Sequence, residues 1–151
     1  AAKYGGDKAL FGYGFNAVAN LSMTNLVSNV GVVSADVTGV GTVRRGLDAA
    51  EYGVGLAIFA FGYGVGYTAI SNLVSNIGVV ATDTAGVGTA RYHMGAAAYG
   101  GDKAIFAYGK PSGSTTSLSN LVSNSGVVAS DVTGVGTAKD GPGAAGYSTS
   151  A

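Results

Sequence analysis

The sequence predicts an all-β protein assembled from a repeated sheet, and three observations carry that expectation. The run Asn-Leu-Val-Ser-Asn occurs at 25–29, 72–76 and 120–124, so a unit of 47–48 residues recurs along a chain of 151. Glycine contributes 27 residues beside only two prolines, without the three-residue period of collagen, which points to many tight turns. The apolar runs between those turns, such as Lys-Ala-Leu-Phe-Gly-Tyr-Gly at 8–14, are aromatic-rich and too short for stable helices.

Within a unit the elements follow in order. A first strand of small residues is expected around 46–50 and 94–99, and Tyr-Gly-Gly-Asp-Lys-Ala supplies a hairpin turn after it in the outer units. The second strand carries Phe11, Phe59 or Phe106. The third is the Asn-Leu-Val-Ser-Asn run, whose asparagines read as turn chemistry and backbone bonding. Ser-Asn-x-Gly then turns the chain into a fourth strand, Gly-Val-Val, at 31–33, 78–80 and 126–128. The units are 1–48, 49–96 and 97–143, and 144–151 opens a fourth with the same first strand. Tyr4, Tyr52, Tyr99 and Tyr147 hold one place in successive units, as do Asp36, Asp83 and Asp131.

Four antiparallel strands in a repeat of this length mark a β-propeller blade. Runs that are apolar on both faces suit sheets covered on both sides. Propellers close with four to eight blades, and three leave an apolar sheet face bare at each end. If each end exposed roughly 400 Å² of apolar surface, the penalty would be roughly 10 kcal/mol per end, comparable to the stability of a whole domain. The expectation is therefore head-to-tail assembly, with a second chain completing a six-bladed ring; the alternative is a piece of a longer propeller. Residues 1–4 and 144–147 then compete for one slot, and the C-terminal strand is expected to take it, displacing Ala1–Lys3.

The stretch Ala90–Gly109, Ala-Arg-Tyr-His-Met-Gly-Ala-Ala-Ala-Tyr-Gly-Gly-Asp-Lys-Ala-Ile-Phe-Ala-Tyr-Gly, resembles a kelch blade. It has a basic residue, a small apolar first strand, a turn, and an apolar second strand ending in glycine. The resemblance covers the whole chain as three blades, with two departures. The glycine pair that closes the second strand is split as Gly12-Tyr13-Gly14 and Gly62-Tyr63-Gly64 or reduced to Gly109, and the fourth-strand tryptophan is missing from a chain without tryptophan. The units are also similar to repeats in tail-associated proteins of marine bacteriophages, which implies a virion component that binds a host-surface glycan or another virion protein.

Composition narrows the function. Eight basic residues balance eight acidic ones, so no charge excess points to nucleic acid. The absence of cysteine removes disulfides and thiolate metal sites. Residues 53–70 are almost wholly apolar or glycine, yet their counterparts keep Asp7, Lys8, Asp102 and Lys103, so a membrane span is not expected. His93 is the single histidine, which leaves Ser-His-Asp and Cys-His chemistry poorly provisioned. The Gly-Val-Gly-Thr copies at 39–42, 86–89 and 134–137 lack the rest of a nucleotide-binding fingerprint. The repeated aspartates read as Asx-type turns, with cation ligation as the alternative. No enzyme activity, cofactor or metal is expected.

A binding face is the better expectation. In a kelch-like blade the loops after the second and fourth strands open on one side, here 14–22, 62–70 and 109–117 with 37–45, 84–93 and 132–141. They gather Arg44, Arg45, Tyr63, Tyr67, Arg91, Tyr92, His93, Lys110 and Lys139, and arginine and tyrosine are common anchors at binding sites. The alternative is that the basic residues structure the blade junctions. The loops at 15–22, 63–70 and 110–117 also differ most between units, as suits variable loops on a fixed scaffold. The expected function is a non-enzymatic structural or binding component; the alternative is an engineered or reconstructed self-assembling propeller without a ligand.

Overall fold

The computed structural model describes residues 1–147. Strands β1 (Ala2–Tyr4), β2 (Lys8–Phe15) and β3 (Asn20–Val27) form one antiparallel sheet in that order. Strands β4 (Asp48–Tyr52), β5 (Leu56–Ala60) and β6 (Ser71–Val74) form the second, and β7 (Gly95–Tyr99), β8 (Lys103–Ala107) and β9 (Ser119–Val122) the third. The chain is all-β as the repeats require. Strands β4 and β7 start slightly ahead of the unit boundaries at 49 and 97. No helix among the described residues is long and apolar enough to cross a membrane, and the apolar stretch at 53–70 contains β5.

The fourth strand differs from the expectation. It is present only as isolated bridges to the third: Val27 with Val33 and Thr24 with Val37, and their equivalents in the other two units. The partners are three residues apart on β3 but four apart on the outer segment, so one extra residue bulges out and regular pairing stops. An asparagine side chain fills the gap. The amides of Asn25, Asn72 and Asn120 donate to the carbonyls of Ser34, Ala81 and Ala129 at 3.2, 3.0 and 3.0 Å. Beyond this, the Ser-Asn-x-Gly segment turns as expected, with the Gly31 N–H donating to the Ser28 carbonyl at 3.0 Å.

Alternation along the second strands sends successive side chains to opposite faces and builds two apolar layers. Leu10 and Phe59 pack between the first and second sheets, with Tyr4, Ala49 and Val74. Ile58 and Phe106 pack between the second and third, with Tyr52, Phe61 and Val122. The middle sheet is therefore covered on both sides, and Leu56 to Ala60 reads as an unbroken apolar run for that reason. The sheets meet along their first strands, β1 against β4 and β4 against β7. A backbone bond pins each hairpin to the next: the Gly5 N–H donates to the Gly55 carbonyl at 2.8 Å, and the Gly53 N–H to the Asp102 carbonyl at 2.7 Å.

The middle hairpin tip at 53–56 reads Gly-Val-Gly-Leu where the outer units have Gly-Gly-Asp-Lys. Leu56 packs partly buried against the core, whereas Val54 is exposed. In the outer units the aspartate of the turn anchors an asparagine instead, Asn29 to Asp7 at 3.1 Å and Asn124 to Asp102 at 3.0 Å.

Residues 142–147 have no regular pairing and run beside β7, where a Cβ built on Gly146 would lie 2.9 Å from the Ala98 carbonyl oxygen. They lie against the third sheet as β4 lies against the first. In the single chain Ala2–Tyr4 keeps its own slot, with Ala2 opposite Leu10 and Tyr4 opposite Lys8. Residues 148–151 of the expected closure strand lie outside the described residues.

Phe59 and Phe106 are 2% and 0% exposed. Truncating either to alanine is expected to destabilise the fold by about 3–5 kcal/mol, read from urea unfolding.

Candidate functional site

Each boundary between sheets is organised around a buried arginine. Arg44 and Arg91 are both 0% exposed, although the loops that carry them were expected to open on a ligand face. The Arg44 Nε–H donates to the Phe61 carbonyl at 2.9 Å, one Nη to Asn72 Oδ1 at 2.6 Å and the other to the Thr42 carbonyl at 3.1 Å. Its guanidinium lies 4.2 Å above the Tyr13 ring. Arg91 repeats this arrangement one unit on, donating to the carbonyls of Tyr108 and Thr89 at 2.8 and 3.0 Å and lying 4.3 Å above the Phe61 ring. Its remaining Nη reaches the Phe106 carbonyl at 3.4 Å, which leaves Asn120 Oδ1 buried without a partner.

The acceptors depend on unusual backbone. Tyr13, Phe61 and Tyr108 occupy one repeat position, and all three have positive φ, at 63, 62 and 65°. A bulky residue in this left-handed region costs on the order of 1–3 kcal/mol. The kink turns the ring toward the next unit, so that Tyr13 meets Phe59 edge to face at 5.1 Å and Phe61 meets Phe106 at 5.6 Å.

Two of the three repeated aspartates complete a junction instead of making local turns. Asp83 accepts from the backbone N–H and hydroxyl of Thr42 at 3.0 and 2.7 Å, and from the Asn72 amide at 2.9 Å. Asp131 accepts from Thr89 and Asn120 in the same way. Each carboxylate lies 3.9 Å from the buried guanidinium, as a counter-charge beyond hydrogen-bond reach. Burial raises both carboxyls, but the threonine and asparagine hydrogen bonds and the arginine outweigh it and hold them below the ordinary carboxylate value. Gly41 and Gly88 of the Gly-Val-Gly-Thr copies let the carboxylate in: a Cβ there would collide with Oδ1 of Asp83 and of Asp131. Among the described residues no group of three or more His, Cys, Asp or Glu side chains converges as metal ligands would.

A second cluster does reach the surface. Tyr63 meets Tyr67 at 5.2 Å and Tyr92 at 6.1 Å, Tyr67 meets Tyr92 at 5.6 Å, and Tyr92 lies 4.1 Å from the His93 ring. Arg45 extends it, 5.4 Å above Tyr63 and 4.7 Å above Phe15, which the sequence reading had not singled out. Backbone ladders hold these residues in place, Arg45 with Tyr63 and Tyr92 with Lys110. His93 is the odd member. Its position needs positive φ, met by Gly46 at 60° and Gly141 at 61° in the other units, yet His93 adopts 53° with a side chain. So Arg45, Tyr63, Tyr67, Tyr92 and His93 come together with Lys110 alongside, while Arg44 and Arg91 are interior and Lys139 lies at the outer end, 4.6 Å from the Tyr108 ring.

A scan against protein-family models finds no match to the chain, and a search of curated proteins finds none either.

Replacing Arg44 or Arg91 with alanine leaves buried carbonyls without donors, and about 3 kcal/mol of stability is expected to be lost in urea unfolding. Lysine at either place is expected to recover only part, because one ammonium cannot reach acceptors set around a planar fork.

The lowered carboxyls also set a pH dependence. Asp83 and Asp131 favour the folded state above the ordinary carboxylate range, and that contribution drains away as pH falls from about 4 toward their lowered values. Asp48 works the other way, since burial raises its carboxyl against the Ala49 N–H bond and protonating it favours the fold. Thermal melts of a chain carrying Asp83→Asn and Asp131→Asn are expected to show lower stability near neutrality and a shallower loss below about pH 4.

Proposed function

We propose that the chain is a non-enzymatic structural and binding scaffold whose sheets are kelch-like propeller blades and whose aromatic face takes a glycan. The observation that carries the binding role is the cluster of Arg45, Tyr63, Tyr67, Tyr92 and His93. It sits where the units diverge in sequence, and it keeps a histidine in a conformation that the other units give to glycine. Strain of this kind, retained on an exposed aromatic surface, supports a role in recognition. Tyrosine rings offer flat faces for the C–H surface of a sugar, while their hydroxyls and the Arg45 guanidinium can bond its hydroxyls.

The propeller reading is supported by the way the sheets converge on their first strands. Under that reading a second chain completes a six-bladed ring, with the tail strand laid on β2 of its neighbour. The scaffold reading is supported by the acidic groups, since Asp83 and Asp131 are occupied in holding units together. A tail-associated place in a phage virion, facing a host-surface glycan, is the form that the repeats favour by resemblance.

Glycan-array binding followed by calorimetric titration tests the proposal. Tyr67→Ala and Tyr92→Ala are each expected to weaken the bound glycan at least about tenfold. His93→Gly should weaken it too, while leaving thermal stability unchanged or raised because the strain is relieved. A chain that retains no glycan, or variants that bind as well as the parent, would defeat the binding role.

A further inference from the structure

We infer that a second copy of this chain docks head to tail through a third version of the arginine junction, formed by Lys139, Thr137 and Tyr108 of one copy and Phe11, Asn25 and Asp36 of the other. The inference rests on the scaffold reading and names the contact by which copies meet. A closed ring and an open run of copies would both use it.

The junction appears twice inside the chain, so its parts can be checked at the ends. Arg44, Arg91 and Lys139 share one repeat position, and the same bond sets each: the N–H groups of Gly14, Gly62 and Gly109 donate to their carbonyls at 3.0, 2.9 and 2.9 Å. Lys139 already lies over Tyr108 as the arginines lie over Tyr13 and Phe61. Yet among the described residues its ammonium makes no hydrogen bond or ion pair. Thr42 and Thr89 bind the aspartate of the following unit, whereas Thr137, next in the series, makes no such bond among the described residues.

The first unit carries the other half. Asp36 accepts from Asn25 at 2.8 Å, as Asp83 does from Asn72, but among the described residues no threonine or basic residue reaches it. Phe11 is 53% exposed, where its equivalents Phe59 and Phe106 are 2% and 0% exposed because the preceding unit's aromatic covers them. Tyr108 is that aromatic for the missing partner. The backbone series agrees, since Gly5 and Gly53 donate to the next hairpin and Gly100 is the third member, with the Asp7 carbonyl of the second copy in register for it. The outer face of the third sheet, which a second copy would cover, carries a groove of about 300 Å³ lined by Tyr99, Ile105 and Tyr147 among others. Whichever of residues 1–4 and 144–147 fills the shared first-strand slot, the junction residues are the same.

A second copy is the occupant these residues specify, because each group left unmatched among the described residues of the third sheet has its counterpart on the first. Each contact brings one cation to one carboxylate, so the pairing is neutral and head to tail by construction of the repeat.

Sedimentation velocity with light scattering over a concentration series tests this on the 151-residue chain. The parent is expected to run as a multiple of 14.7 kDa. Phe11→Asp, at an exposed position that leaves the circular dichroism spectrum unchanged, should raise the dissociation constant at least about tenfold, and Asp36→Ala should raise it as well. Lys139→Arg should lower it, because it restores the planar donor used at both internal junctions. A parent of 14.7 kDa at every concentration would overturn both the docking and the closed ring while leaving the glycan test standing. An oligomer indifferent to Phe11→Asp and Lys139→Arg would overturn this junction alone and leave self-association through another surface.

Discussion

A guanidinium group withdrawn from water between two sheets is the constraint on which the rest of the structure turns. Burying such a charge costs several kcal/mol unless its donors find acceptors in the correct directions. At Arg44 those acceptors come from both sides, the Thr42 carbonyl from its own unit and the Phe61 carbonyl and Asn72 amide oxygen from the next. The two sheets cannot slide past one another without orphaning at least one of them. Apolar packing supplies much of the driving force for stacking, but Leu10 or Phe59 would tolerate small shifts that the arginine does not. The polar junction therefore sets the register between units.

The backbone strain at Tyr13, Phe61 and Tyr108 belongs to the same arrangement. A residue leaving β2, β5 or β8 in an ordinary conformation would aim its carbonyl and ring elsewhere. With φ near 60° the rings of Tyr13 and Phe61 lie beneath an arginine and pack against the next phenylalanine, while the carbonyls of Phe61 and Tyr108 face an arginine Nε. The unfavourable dihedral is offset by a charged hydrogen bond and an aromatic contact at one site. At His93 the setting differs. Its backbone joins the Gly46 and Gly141 series through hydrogen bonds to both, and its ring lies against Gly46 and Tyr92 on an exposed surface. That difference separates the strain that builds the junction from the strain that shapes the face.

Much of the architecture was legible in the repeats because turns and apolar runs act locally. Glycine at the hairpins and the Ser-Asn-x-Gly turns located the first three strands of each unit to within a few residues. The fourth was misread as regular, since Val33 and Val37 do pair with the third strand and only the extra residue between them, invisible to a period-two pattern, breaks the ladder. The basic side of the junction was legible as the alternative in which those residues structure the blade junctions, but its partners were not. Asn72, Asp83 and Thr42 lie 11 to 41 residues apart, so the first Asn of Asn-Leu-Val-Ser-Asn read as turn chemistry and backbone bonding, of which the backbone bond is present, and the aspartates read as Asx turns. The usable signal was the joint repetition of Gly-Val-Gly-Thr, Asn and Asp in every unit, which local turns do not require. Of the basic residues assigned to a ligand face, Arg45 reached the surface cluster, whereas its neighbour Arg44 turned inward.

The third member of the arginine series is a lysine, lying beyond the last junction between sheets of the described residues. A guanidinium is weakly hydrated and suited to enclosure by fixed acceptors, as at Arg44 and Arg91, where both faces are supplied by the same chain. Lys139 has one face supplied, by Tyr108. A compact, strongly hydrated ammonium is at ease in water on the other side and can still bond a carbonyl or carboxylate presented to it. An arginine there would hold an incoming unit more tightly, with its planar fork enclosed by that unit's acceptors. In the proposed docking the lysine would make this junction a weaker copy of the internal ones, separating a contact made within one folded chain from one that forms and dissolves between chains.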